Sequence, residues 1–247
     1  MCTLSWSYYD NSHYEVYFNR DEQRTRLAAI EPQGFVIDDV NCVMPIDSAG
    51  GGSWISTNQH AVTICLLNYY QGRVPQGTLT SRGVVVKKLA SSDSTRAVRA
   101  GLLEMDLASF APFTLVSFDL DGSKQVNAWT WDGQKLEHSI ISAPVVSAAK
   151  HYQHARRYRI DLYEKLRVTT NVKKLGARFH LSFDKDQPHL SPLMARDDAR
   201  TVSLTSVSAY RNHQTMQYQS IDADGCVDFK IEKKLLTTNI TEQGVCK

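Results

Sequence analysis

The sequence predicts an α+β protein with four layers, in which two antiparallel sheets pack together and helices cover both outer faces. Segments with strand-like alternation lie near the start, middle and end of the chain, and two stretches of helical periodicity separate them. Turn-forming residues join neighbouring strand segments, which favours antiparallel pairing. An αββα sandwich buries every apolar face of these segments. The length of 247 residues and the 42% hydrophobic content predict one domain over residues 1–247.

The first elements form a predicted β-hairpin. Residues 3–9 and 14–18 alternate between polar and apolar side chains, and the Asp-Asn-Ser sequence at 10–12 is typical of a turn. The second strand ends in the sequence Asn-Arg-Asp-Glu at 19–22. Because a hairpin returns the end of its second strand to the start of its first, we expect Cys2 and Asp21 to be neighbours.

The rest of the chain supplies the other layers. Three glycines at 50–52 give the backbone conformational freedom, and a buried strand is predicted over 61–67, ending at Asn68. Helical spacing begins at Ser81, with Ser94 as a possible cap between two helices. The remaining predicted elements are strands over 113–118, 125–131 and 136–141, an amphipathic helical stretch over 145–166, and strands over 202–210, 216–221 and 227–231.

Composition narrows the class of partner. A net charge of +2 and a pI of about 8.2 do not favour nucleic acid or an acidic membrane surface, so a small-molecule partner is predicted. No stretch of about 18 apolar residues and no secretory leader pattern occur, so we expect neither a membrane span nor secretion. Five cysteines without a C-x-x-C pair argue against a disulfide framework or zinc site and predict a cytoplasmic location.

Cys2 is the residue most suggestive of chemistry. A small second residue permits removal of Met1, which would leave a thiol and a free α-amine on one residue. An α-amine has an ordinary pKa of about 7.7 to 8.0 and a cysteine thiol one of about 8.5, so the amine can take the thiol proton near neutral pH. The alternative is an ordinary cysteine that happens to be second.

Four short motifs occur in order over the first third of the chain. They are Met-Cys-Thr at 1–3, Asn-Arg-Asp-Glu at 19–22, Gly-Gly-Ser-Trp at 51–54 and Ser-Arg-Gly at 81–83. With the segment Leu-Leu-Asn-Tyr at 66–69, this order resembles the NRDE family, also called the Transport and Golgi organization family. The same region is similar to the choloylglycine hydrolase and penicillin V acylase group. The resemblance implies an N-terminal nucleophile hydrolase fold.

The resemblance also implies roles for individual residues. Cys2 would be the nucleophile, Asp21 would orient the α-amine, Arg20 would favour the thiolate and Asn68 would donate a hydrogen bond to an oxyanion. The plainer interpretation is a salt bridge at a strand end for Arg20 and Asp21, and a turn residue for Asn68.

Two further residues are predicted to contact substrate. Trp54 follows the glycine run, where it lines a pocket or fills the core. Ser142 stands at the place where the acylase group commonly has a second asparagine, within the sequence Ile-Ser-Ala-Pro at 141–144.

Several other patterns are interpreted as structural, and we predict no cofactor and no bound metal. His151 and His154 are one turn apart, but Arg159 and its neighbouring arginines indicate a solvated basic helix face. The sequences Asp-x-Asp-Gly at 119–122 and 222–225 lack the later glutamate of calcium loops and are interpreted as hairpin turns. Cys65 and Cys226 are predicted to be buried thiols.

Two functions from different classes remain open. The first is an amidohydrolase or acyltransferase that attacks a non-peptide C–N bond of a small molecule through Cys2. The second is a non-catalytic protein of haem or lipid trafficking, because relatives in the NRDE family are linked to Golgi organisation and to haem or lipid movement. An open cleft converging on Cys2 would favour catalysis, whereas a broad apolar groove elsewhere would favour carriage. The sequence leaves the oligomeric state open.

Overall fold

A computed structural model describes residues 2–236 of the chain. Its first sheet has six antiparallel strands in the order β10-β1-β2-β11-β12-β13. These strands are β1 Cys2–Tyr8, β2 His13–Gln23, β10 Val145–Ser147, β11 Ala199–Tyr210, β12 His213–Ile221 and β13 Val227–Leu236. The predicted first hairpin is therefore confirmed, and the final strands are confirmed with it.

The second sheet has seven antiparallel strands in sequence order from β3 to β9. They are β3 Ile30–Ile37, β4 Val40–Ile46, β5 Ile55–Asn58, β6 Thr63–Asn68, β7 Phe113–Phe118, β8 Val126–Trp131 and β9 Leu136–Ile141. The two Asp-x-Asp-Gly segments lie between β7 and β8 and between β12 and β13, so their assignment as hairpin turns is confirmed.

Helices cover the outer face of each sheet. They are α1 Gly83–Leu89, α2 Thr95–Glu104, α3 Tyr152–Thr169 and α4 Val172–His180. The first two helices pack on β5, β6 and β7, and the last two pack on β1, β2 and β10. The Ser94 side chain caps α2 by accepting a hydrogen bond from Ala97 N, as predicted. The predicted four-layer αββα sandwich is confirmed.

Three apolar interfaces hold the layers together. The largest lies between the sheets and includes Leu4, Phe18 and Phe118, which are fully buried. Separate clusters join α1 and α2 to the second sheet and α3 to α4. Burial of apolar side chains on both faces of each sheet is what makes the layered arrangement stable.

Close contact between two backbone segments fixes the entrance of the cleft described below. A Cβ atom on Gly52 would lie 2.4 Å from the carbonyl carbon of Gly83, so both backbone segments need glycine at this contact. Ser53 N donates to Gly83 O across this contact at 3.1 Å. The Gly-Gly-Ser-Trp and Ser-Arg-Gly motifs therefore meet in space.

The structure corrects three predictions and adds elements that the patterns did not reveal. Residues 145–147 form an edge strand rather than helix, because two β-branched valines extend the sheet beside β1. Cys226 is exposed, because the β12–β13 turn carries it to the surface, whereas Cys65 is buried as predicted. His151 precedes α3 with a left-handed backbone instead of lying within the helix. Strands β3 and β4 and helix α4 were not predicted. None of the helices in residues 2–236 is long and apolar enough to cross a membrane.

Candidate active site

Cys2 is the first residue of strand β1, which lies between the edge strand β10 and strand β2. Its backbone lies opposite Arg20 on β2 and opposite Ser147 on β10, and the residue is 8% exposed. Burial raises the pKa of the Cys2 thiol, and the nearby negative charge of Asp21 raises it further. A hydrogen bond from the Asp21 backbone to the sulfur lowers the pKa in part. The predicted proximity of Cys2 and Asp21 is confirmed.

Asp21 is a buried carboxylate beside the thiol. Thr201 Oγ1 donates a hydrogen bond to Asp21 Oδ1 at 2.7 Å, and Arg159 Nη1 lies 3.7 Å from Asp21 Oδ2. The pairing of β2 with β11 shifts register between Thr201 and Ser203, which is a bulge directly beside the carboxylate. Burial raises the pKa of Asp21, and the charge of Arg159 opposes that rise. Among residues 2–236, Oδ2 has no hydrogen-bond partner.

Arg159 pairs with Asp21 from within the protein core, and its predicted exposure is wrong. Its side chain is completely buried, so it does not belong to a solvated basic face. Arg159 donates to the Leu190 carbonyl at 3.0 Å, to the Ser191 carbonyl at 2.7 Å and to the Thr3 hydroxyl. These acceptors and the Asp21 charge offset the cost of removing a guanidinium from water.

Arg20 and Trp54 form one wall of the site. Arg20 Nη2 donates to Asp47 Oδ1 at 3.1 Å and to Glu22 Oε2 at 3.2 Å. Its guanidinium carbon lies 4.5 Å from the centre of the Trp54 ring, a cation–π distance. The Arg20 charge lowers the pKa of Cys2, as expected, but burial outweighs it. Trp54 lines the cleft and also belongs to the core between the sheets. Pocket lining and core filling, the two alternatives for this residue, are therefore both correct.

A cleft of about 640 Å³ opens onto Cys2. Its walls include five of the six residues predicted for the site, namely Cys2, Arg20, Asp21, Trp54 and Asn68. The lining is strongly polar, with Glu22, Arg26, Asp47 and Arg82 also present. The arrangement can expose a polar ligand to a thiol, a buried carboxylate and the Asn68 side-chain amide in one open cleft.

Asn68 lies at the boundary between this cleft and a second cavity. Asn68 is the last residue of β6, and its Nδ2 donates to the Tyr70 hydroxyl at 2.9 Å. Its backbone carbonyl accepts a hydrogen bond from the Ser147 hydroxyl. Ser142 lines the second cavity, of about 520 Å³, and not the cleft at Cys2. The structure therefore does not bring Ser142 together with the other predicted residues.

Sequence reasoning missed three residues of the site. Arg82 lies within the Ser-Arg-Gly motif, and Thr201 immediately precedes the strand predicted over 202–210, but neither was given a role. Arg159 continues the helical spacing of buried Ala155 and Tyr163. That spacing is the signal by which its burial could have been found.

Comparison with known protein families identifies the chain. A family model described as Transport and Golgi organisation 2 matches residues 1–221. The chain belongs to this family. Transport and Golgi organisation 2 is the family that the four motifs indicated, so the resemblance drawn from the sequence is confirmed. A search of curated protein sequences gave no significant match.

Solved structures show which fold this member of the Transport and Golgi organisation 2 family has. Penicillin V acylase from Agrobacterium tumefaciens is 10% identical, with a TM-score of 0.51 over 91% of this chain and 86% of the acylase. A mutant conjugated bile acid hydrolase from Clostridium perfringens is 11% identical, with a TM-score of 0.55 over 96% of this chain and 98% of the hydrolase.

A third solved structure agrees. The N-acylethanolamine-hydrolyzing acid amidase orthologue from Caenorhabditis elegans is 12% identical, with a TM-score of 0.56 over 83% of this chain and 92% of the amidase. These likenesses establish the N-terminal nucleophile hydrolase fold. Sequence identity this low does not allow the substrates of these enzymes to be assigned to this chain.

Proposed function

We propose that this protein is a cysteine-dependent hydrolase or acyltransferase that attacks a linear amide C–N bond of a small molecule. Cys2 is the nucleophile, freed by removal of Met1. The observation that carries the proposal is the cleft that opens onto Cys2 directly beside the buried carboxylate of Asp21. The four cysteines described by the structure form no disulfide, which suits a protein that works in the reducing cytoplasm.

Asp21 supports the proposal through its unpartnered oxygen. Removal of Met1 creates a protonatable amine on Cys2, and Asp21 Oδ2 is buried without a hydrogen-bond partner among residues 2–236. A charge-assisted hydrogen bond from the amine to Oδ2 would satisfy that oxygen and orient the amine toward the thiol. The charge of Arg159 favours the carboxylate form of Asp21 and so opposes the rise in pKa that burial causes.

In the first half-reaction, the α-amine takes the thiol proton and the sulfur attacks the amide carbonyl carbon. A C–S bond forms, and the carbonyl oxygen becomes an oxyanion. Asn68 Nδ2 carries two hydrogens, one of which is donated to Tyr70, and the other is the proposed oxyanion donor. When the intermediate collapses, the C–N bond breaks and the α-ammonium returns its proton to the departing amine.

In the second half-reaction, the thioester on Cys2 is released. The α-amine takes a proton from water, the oxygen attacks the thioester carbonyl, and the C–S bond breaks as the sulfur regains the proton. An amine in place of water gives acyl transfer. We assign Trp54 to substrate contact within the cleft. Ser142 would contact a longer substrate that extends past Asn68, which lines both cavities.

The second candidate function is carriage of a haem-like or lipid ligand without turnover. The observation that favours it is the cavity of about 520 Å³ on the far side of Asn68, whose walls include Ile141, Pro144 and Ile160. Cys2 does not line this cavity. Carriage predicts tight ligand binding that is indifferent to the thiol.

Turnover of chromogenic acyl-p-nitroanilides of graded chain length tests the enzyme proposal. The wild-type chain is expected to release nitroaniline and to carry an acyl mass on the Cys2 peptide, whereas Cys2→Ala does neither. Cys226→Ala is the matched control, because this cysteine is exposed on a turn away from the cleft. Absence of an acyl adduct, together with haem or fatty-acid binding that Cys2→Ala leaves intact, would establish carriage instead.

A further inference from the structure

Arg82 places a cation in the cleft that opens onto Cys2. The residue immediately precedes α1, and its half-buried side chain lines the cleft with Cys2, Asn68 and Tyr70. A thiolate on Cys2 raises the pKa of Arg82, against the larger lowering caused by burial. The guanidinium and the sulfur therefore act on each other through space.

The other charges that line the cleft neutralise one another. Asp47 is held by Arg20 at 3.1 Å and by Arg26 at 2.6 Å. Glu22 is held by Arg20 at 3.2 Å and by Arg26 at 3.4 Å.

The carboxylate of Asp21 has its own cation. Asp21 lies 3.7 Å from the buried Arg159. Within residues 2–236, no carboxylate forms a salt bridge with Arg82. Arg82 is thus a cation of the cleft that has no carboxylate within salt-bridge distance in the described part of the chain.

Arg82 is also held in place, which a binding group requires. Arg82 Nη1 donates to the Pro112 carbonyl at 3.1 Å, which fixes one side of the guanidinium. The following residue, Gly83, is packed against Gly52 and Ser53 N, so the backbone has little freedom to shift. The remaining N–H groups of a guanidinium form a planar fork that matches a carboxylate.

We propose that Arg82 binds a carboxylate group of the substrate, so that the protein acts on small amides that carry a carboxylate close to the scissile C–N bond. The assignment rests on the proposed role of Cys2. A single unneutralised cation matches a monoanion better than a phosphate, which carries a charge of about −1.5 to −2 at neutral pH. Asn68 and Tyr70, which are joined by a hydrogen bond, line the same cleft as Arg82, so the anion site and the proposed oxyanion donor share one cleft.

Paired alkylating reagents test the assignment with the full chain and without knowledge of the substrate. Iodoacetate and iodoacetamide each form a thioether as a thiolate displaces iodide, and they differ in that only iodoacetate carries a carboxylate. The ratio of their rates at Cys2, measured by peptide mass spectrometry, cancels changes in thiol pKa and access. Cys226, which is exposed, provides an internal reference in the same molecule.

The ratio at Cys2 is expected to fall about tenfold in Arg82→Gln, the effect expected for loss of a hydrogen bond to a charged group. Arg82→Lys, which keeps the charge but loses the planar fork, should give an intermediate ratio, and the ratio at Cys226 should not change. Arg99→Gln, which removes an exposed arginine of the same helical layer, should leave both ratios unchanged.

Two results would overturn the assignment, and they differ in what else they overturn. An unchanged Cys2 ratio in Arg82→Gln would remove the anion site and leave the nucleophile standing. Failure of both reagents to modify Cys2 in the wild-type chain would contradict the nucleophile itself, and the substrate assignment with it.

Discussion

The two interfaces between helices and sheets differ in how many polar side chains they bury. Helices α1 and α2 meet the second sheet through a continuous apolar cluster, and the helical residues that they bury are Val85, Val86, Leu89, Val98 and Leu102. Helices α3 and α4 meet the first sheet with Arg159 and His180 fully buried among polar strand residues. The first interface is an apolar core, whereas the second contains the buried arginine that pairs with Asp21 of the candidate active site.

The difference shows where this fold accepts a cost in stability. Buried polar groups are tolerated only when they are hydrogen-bonded or paired. Arg159 has carbonyl, hydroxyl and carboxylate partners, and His180 Nε2 lies 2.8 Å from the Ser5 hydroxyl. Because Arg159 and Thr201 contact the two oxygens of the carboxylate beside Cys2, the polar interface holds Asp21 in one position. Variants in the two interfaces should therefore fail in different ways.

Arg159→Met should have the largest effect on stability. Removing the cation leaves Asp21 buried and unpaired, which is expected to lower the free energy of unfolding by about 3 to 5 kcal/mol in urea titrations. Arg157→Met, two residues away on α3 and 84% exposed, should change it by less than about 0.5 kcal/mol.

The pairing itself can be isolated. Adding Asp21→Asn to Arg159→Met removes the orphaned charge and should recover part of the lost stability. Equal effects of Arg159→Met and Arg157→Met would show that the buried ion pair does not hold the site together.

Leu102→Ala should have the next largest effect. Leu102 is fully buried between α2 and the second sheet, so its truncation is expected to cost about 3 kcal/mol through lost burial and a cavity. Since Leu102 does not line the cleft, the rate of Cys2 alkylation under native conditions should not change. A loss of Cys2 reactivity without unfolding would show that the two interfaces are coupled.

His180 should give an effect on stability that is absent near neutral pH and appears only as the pH falls. Burial, followed by the charge of Arg159, lowers the pKa of His180 to about 3 in the folded chain, whereas an unfolded histidine titrates near 6.5. The unfolded state therefore binds the extra proton between these values. Stability should fall as pH decreases below about 6.5, by up to roughly 1.4 kcal/mol per pH unit from this group.

His180→Gln provides the control for that pH dependence. It retains a side-chain nitrogen for Ser5 but does not titrate, so stability measured from pH 7 to pH 4 should fall less steeply than in the wild-type chain. Parallel curves for the two chains would contradict the buried neutral histidine.

The same comparison explains what the sequence could predict. Periodicity located α1, α2 and the strands of the apolar interface because hydrophobic spacing directly reports burial. It misplaced Arg159, because arginines are usually exposed and only a tertiary partner such as Asp21 reverses that preference. Strand β3 was missed because its Pro32 and Gly34 interrupt the alternation, and β10 because a strand of three residues is too short for any period.

The candidate site was predictable in part for a geometric reason. A hairpin brings Cys2 close to Asp21 independently of the rest of the fold. The strand end at Asn68 follows from the local sequence pattern. Arg82 and Thr201 reach the site through contacts between distant segments. Such contacts leave no local signature in one sequence. Residue identity alone also did not reveal that Ser142 lines a separate cavity.

The central claim is that Cys2 becomes an N-terminal residue with a free amine and thiol, and one measurement tests it directly. The natively expressed chain would be analysed by intact mass before and after treatment with a cyanobenzothiazole, which condenses with N-terminal 1,2-aminothiols. If Cys2 is an N-terminal nucleophile, the intact mass should lack Met1 and the treated chain should carry a single adduct that is absent in Cys2→Ser. A chain that retains Met1 and forms no adduct would contradict the nucleophile and leave ligand carriage as the function to pursue.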